Sequence, residues 1–126
     1  MLEIDIKKVY KLWNDDISPY NEIQIPYNYM NSFQDFYDVA KRFYKLGTEK
    51  IQLGLYCSDF SKKDLASIED VSIYRTDTLI LYVDPSTYDI DRRILKEIIR
   101  KRPDEFKENR IEHNGNWINK YYLRWD

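Results

Sequence analysis

Few residues in this chain have side chains suited to catalysis, and their spacing narrows the chemistry further. His113 is the one histidine, which excludes mechanisms that need two: histidine zinc sites, two-histidine phosphoesterases and metal-dependent nucleases with paired histidines. It precedes Asn114-Gly115, where a strand-end residue beside a turn is the simpler assignment. Cys57 is the one cysteine. It permits neither an intramolecular disulfide nor a thiolate zinc site, suits a reducing cytosol, and is read as a small buried hydrophobe near a strand end. The three glycines, Gly47, Gly54 and Gly115, are scattered singly, so no glycine-rich phosphate loop forms. No Gly-x-Ser-x-Gly elbow occurs to expose a nucleophile.

Carboxylates are the remaining route to catalysis. Asp84 closes an apolar strand, and Asp89 and Asp91 stand at the start of the following helix; acids so placed could hold Mg²⁺ for phosphodiester cleavage. Acids at a helix N-terminus also stabilise the helix dipole and cap its first turn, and that assignment takes precedence. Glu105-Phe106-Lys107 carries the Glu-x-Lys of restriction-type nucleases, but it follows a helix and lacks a companion acid upstream. The chain is therefore read as non-enzymatic, without a cofactor or a metal site.

Charge gives a weaker pointer. Twenty bases and 22 acids leave a net charge of −2, which supplies no general attraction to nucleic acid. Arg92, Arg93, Lys96 and Arg100 recur at three- or four-residue intervals, so they share a helix face able to follow phosphates. Tyr121, Tyr122 and Trp125 would offer stacking surfaces nearby. Asp91 and Glu97 interrupt the same helix, and a solvated polar face explains the bases more simply.

Aromatic content is the strongest compositional signal. Twelve tyrosines, three tryptophans and five phenylalanines stand against three glycines. Tyrosine has an apolar body and a polar tip, so it suits half-buried sheet faces and contact surfaces. The expected function is a small cytoplasmic protein-binding module, resembling in kind the inhibitors, anti-defence proteins and immunity proteins that occupy another macromolecule's functional surface. Tyr20, Tyr27, Tyr29, Tyr122, Arg124 and Trp125 are its expected contact residues, with a host or cognate protein as partner. Abundant Phe, Tyr, Met, Ile, Asn and Lys indicate an A/T-rich genome, consistent with a phage or mobile element. Nucleic-acid binding through residues 90–102 and the aromatic C-terminal strand is the alternative, and a nuclease on Asp84, Asp89 and Asp91 is the second.

These residues must be positioned by regular elements. Leu2, Ile4, Ile6, Tyr10 and Leu12 share one parity and predict a half-buried strand; Ile23, Ile25 and Tyr27, with Pro26, predict an edge strand. Phe33, Phe36, Tyr37, Ala40, Phe43 and Tyr44 form a helical stripe between Ser32 and Gly47. Ile51 to Cys57 predicts a strand, and residues 61–68 a short helix. Val71–Tyr74 and Leu79–Val83 predict two strands joined by a tight turn, the second apolar on both faces and central. Ile90, Ile94, Leu95, Ile98 and Ile99 predict a second main helix ending near Arg102, because Pro103 cannot continue it. Residues 103–109 are expected to start a new turn. Asn114-Gly115 predicts a type I′ hairpin whose second strand carries Trp117, Tyr121, Leu123 and Trp125. No stretch is long and apolar enough to span a membrane. The expectation is one compact α+β domain over residues 1–126: an antiparallel or mixed sheet, two main helices on one face, and a C-terminal hairpin. Its last strand is expected at a sheet edge, open to a partner or to homodimer formation.

Overall fold

A computed structural model describes residues 1–13, 22–24, 33–57, 73–86 and 88–125. Strand β1 (Leu2–Asp5) leads into helix α1 (Ile6–Trp13), followed by short β2 (Glu22–Gln24) and α2 (Phe33–Leu46). Then come β3 (Lys50–Cys57), β4 (Ile73–Val83), α3 (Tyr88–Lys101), β5 (Glu105–His113) and β6 (Asn116–Arg124). Five strands form an antiparallel sheet in the order β1-β3-β4-β6-β5, and β2 pairs in parallel with the start of β4. The chain is a small α+β domain, as the sequence pattern indicates.

Strand alternation sorts the sheet into two unlike faces. Ile51, Leu53 and Leu55 of β3, Leu79, Leu81 and Val83 of β4, and Tyr121 and Leu123 of β6 point to one side. There they join one buried cluster with Ile6 and Val9 of α1, Phe33, Phe36, Val39, Ala40 and Phe43 of α2, and Ile94 and Ile98 of α3. The helical stripes of α2 and α3 therefore meet the sheet as their spacing implies. Tyr10 stacks on Tyr37, with ring centroids 3.6 Å apart, joining α1 to α2.

Four elements differ from their sequence-based expectation. The predicted strand from Leu2 to Leu12 stops at Asp5. There the Asp5 carboxylate accepts a hydrogen bond from the Lys7 backbone N–H at 2.8 Å and caps α1. Ile6 and Tyr10 fit either period, but Val9 falls on the other parity and completes an i, i+3, i+4 stripe that packs in the core and against α2.

The predicted turn at residues 75–78 is instead the middle of β4. Gly54 pairs with Thr78 and Leu55 with Thr76, so Asp77 is the extra residue of a bulge. Thr76 Oγ1 donates to the Gly54 carbonyl at 2.8 Å, which anchors the irregular stretch within the sheet.

The segment after Pro103 is strand β5 rather than a turn, and it occupies the sheet edge expected for β6. The last strand is thus an inner one, paired on both sides. Its two-residue turn has φ 51° at Asn114 and 80° at Gly115, the signature of type I′.

Trp125 is the fourth correction. It is 1% exposed, meets Phe36 edge-on at 5.7 Å and donates its indole N–H to the Lys101 carbonyl at 2.8 Å. It closes the end of α3, where Arg102 turns away with φ 50°. Odd positions of β6 face the helices, so Trp125 is a core residue and not a contact residue. Tyr20, Tyr27, Tyr29 and the expected short helix at residues 61–68 lie outside the described residues.

Candidate partner-binding face

The opposite face of the sheet bears polar and tyrosine side chains. Register places Glu3, Gly54, Thr78, Arg124 and Glu105 in one row across β1, β3, β4, β6 and β5. The next rows bring Gln52, Ile80, Tyr122 and Lys107 into line, then Lys50, Tyr82, Lys120 and Asn109. Both Tyr122 and Arg124, expected as contact residues, stand on this face.

A single carboxylate ties the face together. Glu3 Oε2 lies 3.3 Å from Lys120 Nζ, and Tyr122 donates its hydroxyl to Glu3 Oε1 at 3.2 Å. Strands β1 and β6 are separated by β3 and β4, a span of about 14 Å at ordinary strand spacing. Long side chains can meet across that span because Gly54 has none to stand between them. A Cβ on Gly54 would come 2.5 Å from Met1 Sδ and 3.1 Å from Thr78 Cβ. Ile80, in line with Gln52 and Tyr122, is wholly buried although it points away from the described helices.

The rest of the face is organised in the same way. Tyr82 donates its hydroxyl to Gln52 Oε1 at 2.7 Å. Lys120 lies 5.3 Å from the Tyr82 ring centre and 4.9 Å from that of Tyr122, within cation–π range. Burial works to lower the Lys120 pKa, but its hydrogen bonds to Tyr122 and Tyr82 and the charge of Glu3 outweigh that and hold it above the ordinary lysine value. Glu105 receives Arg124 at 3.0 Å and Lys107 at 3.5 Å. Between β1, β3 and the hairpin lies a cavity of about 380 Å³ lined by Met1, Tyr56, Thr78, Lys107, Tyr122 and Arg124, among others. Glu3, Tyr56, Tyr82, Lys107 and Lys120 are absent from the sequence-derived contact set. Their signal is the parity of each strand opposite to its core residues, legible only once it is known that the described helices all pack on the other side.

The basic residues of α3 lie elsewhere. Arg92, Arg93, Lys96 and Arg100 are exposed on the helix, which packs on the other side of the sheet from Tyr122. Tyr121 and Trp125 are buried beneath the helices, so bases and stacking rings do not share one surface as the nucleic-acid alternative requires. Glu97, buried in the same helix, draws Arg42, Arg100 and Lys101 to within 3.9, 3.5 and 3.8 Å.

The three aspartates are likewise dispersed by structural tasks. Asp84 accepts the Ser86 backbone N–H at 2.9 Å, a bond that holds its carboxyl below the usual aspartate value. Asp91 turns into the helix–sheet interface, where it accepts from Tyr121 and from Asn119 at 2.5 and 3.4 Å. Asp89 is exposed in the first turn of α3. Among the described residues no group of three His, Cys, Asp or Glu side chains is placed to hold a metal ion, so the Asp84, Asp89 and Asp91 set is not assembled. His113 is an exposed strand-end residue paired with Asn116. Among the described residues no helix is long and apolar enough to cross a membrane.

No protein-family model, curated protein or solved structure matches this chain.

Proposed function

We propose that the chain is a cytoplasmic, non-catalytic protein-binding module that uses the sheet face opposite its described helices to occupy the functional surface of another protein. The observation that carries this reading is the Glu3–Lys120–Tyr122 bridge, flanked by Tyr56, Tyr82 and the Arg124–Glu105 pair. Tyrosine and arginine dominate interface energetics because they bury large, stiff surfaces that still offer hydrogen bonds. Here their positions are fixed before a partner arrives, which lowers the ordering cost of association.

Ion pairing on the face favours protein over nucleic acid as the occupant. Lys107, Lys120 and Arg124 each lie within 3.5 Å of Glu3 or Glu105, so these cations are already engaged with carboxylates rather than free to displace counterions from phosphates. An inhibitory or immunity role, as for proteins carried by phages and mobile elements, is consistent with a surface that blocks by occupation.

The test compares the tagged protein with a Tyr56→Ala/Tyr122→Ala variant in affinity capture from the source cell's lysate, with and without nuclease. A stoichiometric protein retained by the parent after nuclease, and lost by a variant of unchanged fold, is the expected result. Recovery of nucleic acid alone, abolished by Arg92→Glu/Arg93→Glu, would move the function to α3. Metal-dependent cleavage of nucleic acid lost in Asp84→Asn or Asp89→Asn would overturn the non-catalytic reading.

A further inference from the structure

The sheet ends in β5, a nine-residue strand whose far edge pairs with no described strand, and residues 106–110 are all exposed. An open edge offers a row of backbone donors and acceptors to any second strand. Charged residues on such an edge ordinarily deter pairing; their order on β5 does the reverse for one partner.

Hydrogen-bond alternation determines which groups face outward. In a type I′ hairpin the Asn116 N–H bonds the His113 carbonyl, so these two residues face each other, and alternate pairs do the same along the ladder. The far end agrees: Arg124 accepts from Asp104 on the β5 side, whereas Trp125 donates to Asp77 on the β4 side. Since Arg124 is opposite Glu105 and Lys120 opposite Asn109, odd residues of β5 face β6 and even residues face solvent. The outward backbone groups are those of Phe106, Glu108, Arg110 and Glu112.

A second copy approaching antiparallel must align its outward residues with these. Centring the two-fold at Glu108 sets Glu108 against itself, and centring it at Arg110 sets Arg110 against itself and Glu108 against Glu112. Both place like charges opposite each other. Centring it at Asn109 sets Glu108 opposite Arg110 and Arg110 opposite Glu108, with Lys107 opposite Ile111 and Glu105 opposite His113. Centring it at Ile111 also sets Arg110 against Glu112 but aligns only residues 109–113 of each β5, so the Asn109 register alone is attractive at its middle and pairs the whole strand.

We propose that β5 pairs antiparallel with β5 of a second copy, centred on Asn109, to form a continuous two-fold symmetric sheet. The expectation of a homodimer through the C-terminal strand thereby moves to the preceding strand, because β6 has no free edge. Pairing one strand buries less than a standard interface, so the dimer forms at micromolar or higher concentration. The two open faces then adjoin, each with its own Tyr122 bridge.

Sedimentation velocity on the purified chain, from low micromolar to near-millimolar concentration, tests this. A reversible monomer–dimer equilibrium is expected. Glu108→Arg or Arg110→Glu alone should weaken it by roughly tenfold or more, since each converts two attractive cross-strand pairs into repulsive ones. The Glu108→Arg/Arg110→Glu exchange should restore it. Glu108→Pro should also abolish it while leaving the hairpin intact, because the lost N–H faces outward. In a Cys57→Ser background, Asn109→Cys should form an intermolecular disulfide readily and Lys107→Cys should not. A monomer at every concentration, a dimer indifferent to the single changes, or no restoration in the exchange would overturn the proposal. Tyr56→Ala/Tyr122→Ala should leave the equilibrium unchanged, so failure of the partner-binding reading and failure of this one are distinguishable.

Discussion

Tyr121 and Tyr122 are adjacent residues of the same type on opposite sides of β6. Tyr121 is buried among the helices, where its hydroxyl donates to Asp91 and accepts from Asn119. Tyr122 is half-buried on the open face and bonds Glu3, 119 residues away in the chain. The helix-side residue holds elements together; the open-side residue arranges a surface. The difference follows from one residue of register, since a strand's side chains alternate and the described helices all cover the same face.

Trp125 gives the largest test of that division. Trp125→Ala should destabilise the protein by about 3–5 kcal/mol through a cavity against Phe36 and loss of the bond to the Lys101 carbonyl. Chemical denaturation measures it, and a shift below about 1 kcal/mol would show that the helix-side face does not carry the fold.

Tyr121→Phe is expected to cost less, about 1–3 kcal/mol, because Asn119 still serves Asp91. Burial, the bond to Asp91 and that residue's charge raise the Tyr121 hydroxyl well above the ordinary tyrosine value. A raised folded value means that the neutral form is favoured in the fold. Its contribution is therefore complete below the ordinary value of about 10 and is lost as pH climbs from there towards the folded value. Denaturation curves between neutral and strongly alkaline pH should show a steeper alkaline decline for the parent than for Tyr121→Phe.

The smallest effect on stability is expected on the open face. Glu3→Gln removes the charge opposing Lys120, yet Glu3 is a third exposed, so the loss should be under about 1 kcal/mol. Partner capture should fall much more than stability does. Equal loss at Glu3 and Tyr121 would erase the distinction between the two faces.

Local pattern foretold the elements with a single solution. The stripes from Phe33 to Tyr44 and from Ile90 to Ile99 admit only helices, Asn114-Gly115 admits a tight hairpin, and Leu79–Val83, apolar on both faces, is an inner strand in which Ile80 too is buried. Ambiguity arose where two periods coincide. Ile6 and Tyr10 fit alternation and helix alike, with Val9 alone marking the helix, and Thr76-Asp77-Thr78 reads as a turn when the Gly54 carbonyl that holds it in the sheet is unknown. At the candidate site, Tyr122 and Arg124 were legible as strand residues on the parity opposite to Tyr121 and Leu123. Glu3 was not, because nothing near it in sequence reveals its partners.

The sequence alone determined the helices α2 and α3, the apolar run of the central strand, the Asn114-Gly115 hairpin turn and the scarcity of catalytic groups, since these depend on residue type and short-range spacing. Tertiary structure decided which strand lies at the edge, which face the helices cover, and therefore that Trp125 is core while Tyr122 is surface. Those outcomes depend on strand order, a property of contacts between distant segments. In β6 the alternation of side chains states that two faces exist; only packing assigns one to the interior.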